Sequence, residues 1–336
     1  MKILIIDSHK GSKESIPQNL HWQNSKILAD HLGADLIWSY PTVNTEIKGG
    51  YDVIIFVHAS PYAYTDYEWL QKSPDAKLYL ITNEYNLGEP RTLWMAAKEG
   101  RKYTVIANHP HEPSKIVMKY VNDWVIVNLN ALIFNPVDKP SSVIIDGATG
   151  NKQLSLFEQE QATSCIYYGS FRKDRSEYFA KYLTKDVTLS THPKNIDKFR
   201  MVGANSPTIP RISWHPKGTG IWGFKTSLYL EDKKTHTYYN YLANRFYEAL
   251  NYGVTPIFTV ECMNTLKKCE YTIPANYIIN NPTWVKYSQH LEIPKEWYKI
   301  AEEERHNTIT EINNLIYENK ISNSAQLQER CVLCPV

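Results

Sequence analysis

The sequence predicts an α/β protein of two consecutive doubly wound domains, each on a mostly parallel sheet, and three observations carry that expectation. Short β-rich apolar runs alternate with helical patterns, the order that a parallel sheet requires. The alternation starts over past residue 160. At 336 residues the chain is also too long for one ordinary core and suits two domains of roughly 150 residues each. Hydrophobic residues make up 43% and charged ones 21%, which excludes wholesale disorder, collagen-like repeats and heptad rods. The 37 basic against 35 acidic side chains leave a formal charge of +2, so binding to a polyanion needs a local basic surface rather than a global field. The 24 tyrosines exceed average usage; such rings stack on sugars or bases as well as filling cores.

In the first half, residues 2–7, 35–39, 53–58, 77–82, 104–108 and 124–129 read as strands. Residues 23–32, with Ile27, Leu28 and Leu32 at helical spacing and Gly33 behind them, read as a helix. The opening MKILIID enters the first strand with no long apolar h-region or cleavage site, which argues against secretion. No run reaches the roughly 18 apolar residues of a membrane span. Residues 136–160, with Pro136, Pro140, Gly147 and Gly150, look like a connection. The second half repeats the pattern, with strands at 165–169, 187–190, 227–230, 255–260 and 277–279 and helices at 176–183 and 239–252. Pro294 opens a long helical pattern from 295 to about 319, with Trp297, Ile300, Ile309, Ile312 and Ile316 spaced to cross back over the first domain. The domains are accordingly 1–155, 156–310 and a terminal helix and tail at 311–336. Five cysteines, odd in number and scattered, suit a reduced cytoplasmic protein. Cys331 and Cys334 supply two of the four ligands of a structural zinc, or nothing more than a tail.

In open parallel sheets ligands bind beyond the carboxyl ends of the strands, so the loops there are where chemistry belongs. The loop after the first strand, Asp7-Ser8-His9-Lys10-Gly11-Ser12, lacks GxGxxG, and neither GxxxxGK[ST], HExxH nor GxSxG occurs. The first strand of the second half ends in Tyr168-Gly169-Ser170-Phe171-Arg172-Lys173-Asp174-Arg175. Gly169 and Ser170 permit a tight turn with outward backbone N–H groups, and Arg172 and Arg175 add cations, a recipe for a diphosphate. The other reading is a glycine turn with surface arginines. Arg245 and Glu248 are three apart on a helix, so one face offers a cation for phosphate and a carboxylate for ribose hydroxyls. An i,i+3 surface ion pair is the alternative.

Glu248-Ala249-x-x-x-Gly253-x-x-Pro256, in the second of two Rossmann-like domains, resembles the nucleotide-sugar site of GT-B glycosyltransferases. Tyr168-Gly169-Ser170-Phe171-Arg172, Asp232 after the strand at 227–230, and Arg245-x-x-Glu248 stand in the order found in the T-even bacteriophage DNA β-glucosyltransferase-like family. Those GT-B enzymes modify hydroxymethylated bases in DNA. MKILII, Gly33-Ala34-Asp35, Tyr51-Asp52 and Tyr79-Leu80-Ile81-Thr82 also resemble that family, so the similarity extends over most of the chain. It implies a GT-B fold, two Rossmann-like domains facing a central cleft with the C-terminal helix crossing back. The first domain would bind acceptor DNA and the second the UDP-sugar. Gly169, Ser170, Arg172, Arg175 and Arg245 would hold the UDP phosphates and Glu248 the uridine ribose. The Arg172–Arg175 spacing is one residue shorter than in the family.

The resemblance further implies inversion at the anomeric carbon, with a carboxylate after the fourth strand as general base on the hydroxymethyl group of a flipped cytosine. In simple register the family's aspartate meets Asn83, so Glu84 is the candidate base, Asn83 an orienting group and Glu89 the fallback. Where the family places an acidic residue by the glucose hydroxyls this chain has His21, a donor or acceptor rather than an acceptor alone, so the donor is UDP-glucose or another UDP-sugar such as a UDP-pentose or a UDP-amino sugar. The other reading of His21 is a helix-start residue with no ligand. The loop at 58–69, rich in aromatics, suits an extruded base. Arg91, Lys98, Arg101, Lys102, Lys115 and Lys119 form a basic set for DNA phosphates or a solvated face. No Asp-x-Asp motif marks a metal, although a divalent ion would assist diphosphate departure. The expectation is a monomeric, cytoplasmic enzyme of a phage-infected bacterial host, with duplex DNA and a UDP-sugar as partners and no membrane. The acceptor is 5-hydroxymethylcytosine, 5-hydroxymethyluracil or an already glycosylated base. A GT-B glycosyltransferase of small molecules or glycans, and an inactive nucleotide-sugar or DNA-binding module, are the alternatives.

Overall fold

The structure, a computed structural model, describes residues 1–7, 20–38, 48–57, 70–82, 100–108, 121–138, 164–212, 214, 220–233 and 235–317, without the side chains of residues 20, 21 and 238. Strands β1 (Ile3–Asp7), β2 (Asp35–Trp38), β3 (Val53–Val57), β4 (Lys77–Thr82), β5 (Tyr103–Ala107) and β6 (Val121–Ile126) form one parallel sheet in the order β2-β1-β3-β4-β5-β6. Successive side chains of a strand point to opposite faces. Leu4 and Ile6 therefore join Ile54, Phe56, Leu78 and Leu80 on one side. Ile3 and Ile5 join Val53 and Ile55 on the other, under Leu28 and Leu32 of helix α1 (Leu20–Leu32). Both faces are covered, and that is why these strands read as unbroken aliphatic runs.

The second sheet comprises β7 (Cys165–Tyr168), β8 (Val187–Ser190), β9 (Thr208–Ile209), β10 (Thr226–Tyr229), β11 (Thr255–Thr259) and β12 (Ile278–Ile279), again all parallel, in the order β12-β11-β10-β7-β8-β9. Its helices are α2 (Ser176–Tyr182), α3 (Pro193–Met201), α4 (Asn244–Asn251) and α5 (Met263–Lys268). The chain fills one flank through β8 and β9, then returns to the other side of β7 with β10. The sheet thus reverses direction between β7 and β10.

A 23-residue helix, α6 (Lys295–Tyr317), ties the halves together. Trp297 and Ala301 are buried with Phe246 and Phe258 of the second half, whereas Ile312 and Ile316 are buried with Leu28 and Leu32 of the first. The Tyr79 hydroxyl donates to Leu315 O at 3.0 Å and the Tyr317 hydroxyl to Leu32 O at 3.0 Å. A seam of amides completes the junction: Asn130 Nδ2 donates to Leu242 O (3.1 Å) and Asn251 Nδ2 to Ile133 O (2.7 Å).

The expected helix at 239–252 is shorter, and the reason is local. Residues Thr235–Tyr239 make a π turn, and Asn240 has φ 51, a left-handed value that stops any helix. Helix α4 begins only at Asn244. The strand expected at 124–129 is shifted to Val121–Ile126, with a register break against β5 at Tyr103/Thr104. Helices α3 and α5 and strand β9 were not expected. Helix α3 is mostly polar, with Asn195 and Phe199 as its buried residues, so its period is faint, although His192 caps it and Pro193 opens it.

Candidate functional site

The reversal in the second sheet leaves a crevice outside the carboxyl ends of β7 and β10. Two short stretches emerge there, Gly169-Ser170-Phe171-Arg172 from β7 and Leu230-Glu231-Asp232 from β10. Gly169 has φ +147, a conformation that side chains resist, and its turn leads through Lys173–Arg175 into α2. That path returns Arg175 to the end of β10. Its Nη2 lies 2.7 Å from Glu231 Oε2 and 3.5 Å from Asp232 Oδ2, and its Nη1 donates to Leu230 O at 3.4 Å.

Arg245 is the second residue of α4, where a cation faces the positive end of the helix dipole and needs a counter-charge. Glu231 supplies it: Oε1 accepts from Arg245 Nε at 3.1 Å. Arg245 Nη1 donates to the Tyr168 carbonyl, and the guanidinium sits 4.7 Å and 4.8 Å from the ring centroids of Tyr167 and Tyr168. One buried carboxylate therefore holds guanidinium groups from two separate stretches of chain. Burial opposes charge on both arginines, but surrounding anionic groups, Glu231 among them, more than offset it and hold both above the usual arginine range.

One turn along α4, Glu248 is buried and accepts from the Tyr168 hydroxyl at 2.6 Å. Burial pushes its carboxyl up to about 7, against the pull of the Tyr168 hydroxyl and of Arg245. The i,i+3 surface ion pair is thus not what forms, because both side chains point inward to different partners. Asp232 accepts from the Thr235 backbone N–H and hydroxyl, each at 2.9 Å, anchoring the π turn. Beneath it His236 lies 2.9 Å from Thr265 Oγ1 and 3.3 Å from Cys262 Sγ, and burial pushes its pKa down. Among the described residues no group of three or more histidine, cysteine or carboxylate side chains is arranged to hold a metal ion.

Of the residues singled out from sequence, Gly169, Arg175, Arg245 and Glu248 meet in this crevice, with Ser170 and Arg172 exposed on the same loop. One expectation needs correcting: the Gly169 N–H does not face outward but donates to Ser190 O at 3.1 Å, so side chains rather than that amide carry the donors. Asn83, Glu84 and Glu89, the loop at 58–69, Arg91, Lys98, Lys115, Lys119, Cys331 and Cys334 lie outside the described residues, as does the side chain of His21. Arg101 is a brace, donating to Leu70 O (3.2 Å) and Ala76 O (2.6 Å). With Lys102 it lines a cavity of about 480 Å³ at the amino ends of β4 to β6, away from the crevice side of a parallel sheet. Glu231 is the residue sequence reasoning missed. Its signal was present, a carboxylate directly behind a strand at the reversal point, but the strand order that gives it meaning was not.

No helix of the described residues is long and apolar enough to cross a membrane. No family model matches the sequence, and no curated protein sequence matches it. Among solved structures the chain is similar to T4 phage beta-glucosyltransferase, with a TM-score of 0.60 and 15% identity over 95% of this chain and 97% of that one. It is likewise similar to the T4 phage enzyme in complex with its UDP-glucose substrate, at a TM-score of 0.57 and 14% identity over the same shares of each chain, 95% and 97%. With two parallel six-stranded sheets flanked by helices and matched over nearly the whole length, the chain has the GT-B fold.

Proposed function

We propose that this protein is a UDP-sugar-dependent DNA glycosyltransferase. It moves a sugar, with inversion, to the hydroxymethyl group of a modified pyrimidine, 5-hydroxymethylcytosine in the first instance, in duplex DNA. The observation that carries the reading is the meeting of Arg175 and Arg245 at the β7/β10 reversal point, with Glu248 one helical turn away. Guanidinium pairs suit the two phosphates of a nucleoside diphosphate, and a buried carboxylate suits vicinal hydroxyls. The shared fold with a phage enzyme that takes UDP-glucose supports the donor class. The acceptor rests on the resemblance of the sequence motifs to the phage DNA-modifying family.

In this reading the diphosphate is bound by Arg175 and Arg245 with Arg172 at the rim, and these cations stabilise the charge that develops on UDP as it departs. Glu231 already neutralises part of that charge, so the incoming phosphates share or displace its contacts. Glu84, two residues beyond β4, removes the proton from the acceptor hydroxyl, with Asn83 orienting it and the target base turned out of the helix. Incubating hydroxymethylated duplex DNA with a panel of UDP-sugars and analysing the nucleosides by mass spectrometry tests the whole reading. A glycosylated hydroxymethylcytosine with one donor is expected. Unmodified nucleosides with every donor, while the protein still binds UDP, would move the acceptor to a small molecule or glycan.

A further inference from the structure

We propose that the Tyr167 hydroxyl is a third ligand of the diphosphate, joining Arg245 and Arg175 around a hollow over Gly169. The inference rests on the donor-site reading and adds an uncharged donor to it. Tyr167 is fully buried, and its hydroxyl has no hydrogen-bond partner among the described residues. Buried hydroxyls are rarely left so, because desolvation without a partner is costly. The other large buried tyrosines of this half show the contrast: the hydroxyls of Tyr168, Tyr182 and Tyr247 donate to carboxylates, and that of Tyr229 accepts from the Ala243 N–H.

The position of the unmet hydroxyl points to a ligand. A β-carbon built on Gly169 would stand 3.8 Å from Tyr167 Oη, 3.5 Å from Arg245 Nη2 and 3.9 Å from Arg245 Nη1. Three polar atoms thus face the space left by one absent side chain, at the carboxyl end of β7. Arg175 Nε, buried in the same cluster, also lacks a partner among the described residues. Guanidinium nitrogens only donate, and a tyrosine hydroxyl can donate, so the group that satisfies them together is an acceptor, and an anionic one. A phosphate oxygen has that chemistry. The Tyr167 ring has its own structural duty, packing against Phe179 at 5.7 Å between centroids and under the Arg245 guanidinium at 4.7 Å.

Tyr167→Phe keeps the ring and removes only the hydroxyl, which separates the two duties. Calorimetric titration with UDP, and an NMR titration with uridine, which has no phosphates, are the measurements, alongside thermal melting of the free protein. The expected result is UDP affinity lowered on the order of tenfold, uridine affinity unchanged, and a melting temperature equal to or above wild type. Unchanged UDP affinity overturns the inference, and so does an equal loss for UDP and uridine, which would mark a structural role. Wild-type protein that fails to bind UDP at all would instead overturn the donor-site reading. Gly169→Ala, which puts a methyl group into the hollow, is expected to lower UDP affinity further; if it binds UDP as wild type does, the hollow is not the phosphate locus.

Discussion

Both sheets are six-stranded and parallel, and among the described residues they differ in what stands buried at the ends of their strands. In the first half Asp7 is the single fully buried carboxylate among the described residues, and it accepts a hydrogen bond from Ser25 Oγ of α1 at 2.8 Å. In the second half Glu231, Asp232 and Glu248 are buried beside the partly buried Arg175 and Arg245 at one reversal point. Desolvating an ion pair costs about as much as the pairing returns, so such a cluster is a poor way to stabilise a fold. Among the described residues of the first half no such cluster stands beside the parallel sheet. Under the proposed function the cluster is a donor site kept at some expense in stability.

That contrast can be broken or sharpened by substitution. The largest effect is expected in the first half: Glu84→Gln should lower sugar transfer by roughly 10² to 10⁴-fold with UDP affinity intact, and undiminished turnover would remove Glu84 from the mechanism. Arg245→Ala should do the reverse, weakening UDP binding by about a hundredfold for two charged hydrogen bonds lost, as calorimetry would read. Equal UDP affinity in that variant would erase the distinction between the halves. Glu231→Gln leaves two guanidinium groups without their shared counter-charge and should destabilise the free protein by about 3 kcal/mol. Because phosphates can replace the missing carboxylate, the rise in melting temperature on adding UDP should be larger in this variant than in wild type; a smaller rise would mean Glu231 only holds the arginines in place.

The smallest effect concerns pH. Burial raises the Glu248 carboxyl from an ordinary 4.5 to about 7. Between those values the native state binds more protons than the unfolded chain. Its contribution to stability is full below 4.5 and is lost as pH rises through 7. The wild-type melting temperature should therefore fall between pH 5 and pH 7.5 by a few degrees more, on the order of 1 kcal/mol, than that of Glu248→Gln. Parallel pH profiles for the two proteins would show Glu248 to be charged throughout.

Much of the architecture is legible because a parallel strand covered on both faces leaves an unmistakable aliphatic run, as at Val53–Val57, where every residue is buried. The second half is harder. Residues 239–243 carry a helical spacing that local structure overrides, since Asp232 caps the preceding π turn and Asn240 takes φ 51. Gly169, Arg245 and Glu248 were visible as residue types at suggestive spacings. Their pairings with Tyr168 and Glu231 were not, because each joins a strand end to a helix further along the chain.

By itself the amino-acid order determined the two rounds of strand and helix, the residues that can bear charge at strand ends, and the long apolar-striped helix at the end. Those properties are local, set by side-chain period and turn chemistry within a few residues. Only the tertiary structure decided that Arg175 and Arg245 share Glu231, that Glu248 turns inward to Tyr168, and that Tyr167 is left with an unmet hydroxyl. The reason is physical: strand order places β10 against β7, and charge pairs act over a few ångströms of space, whatever the length of chain between them.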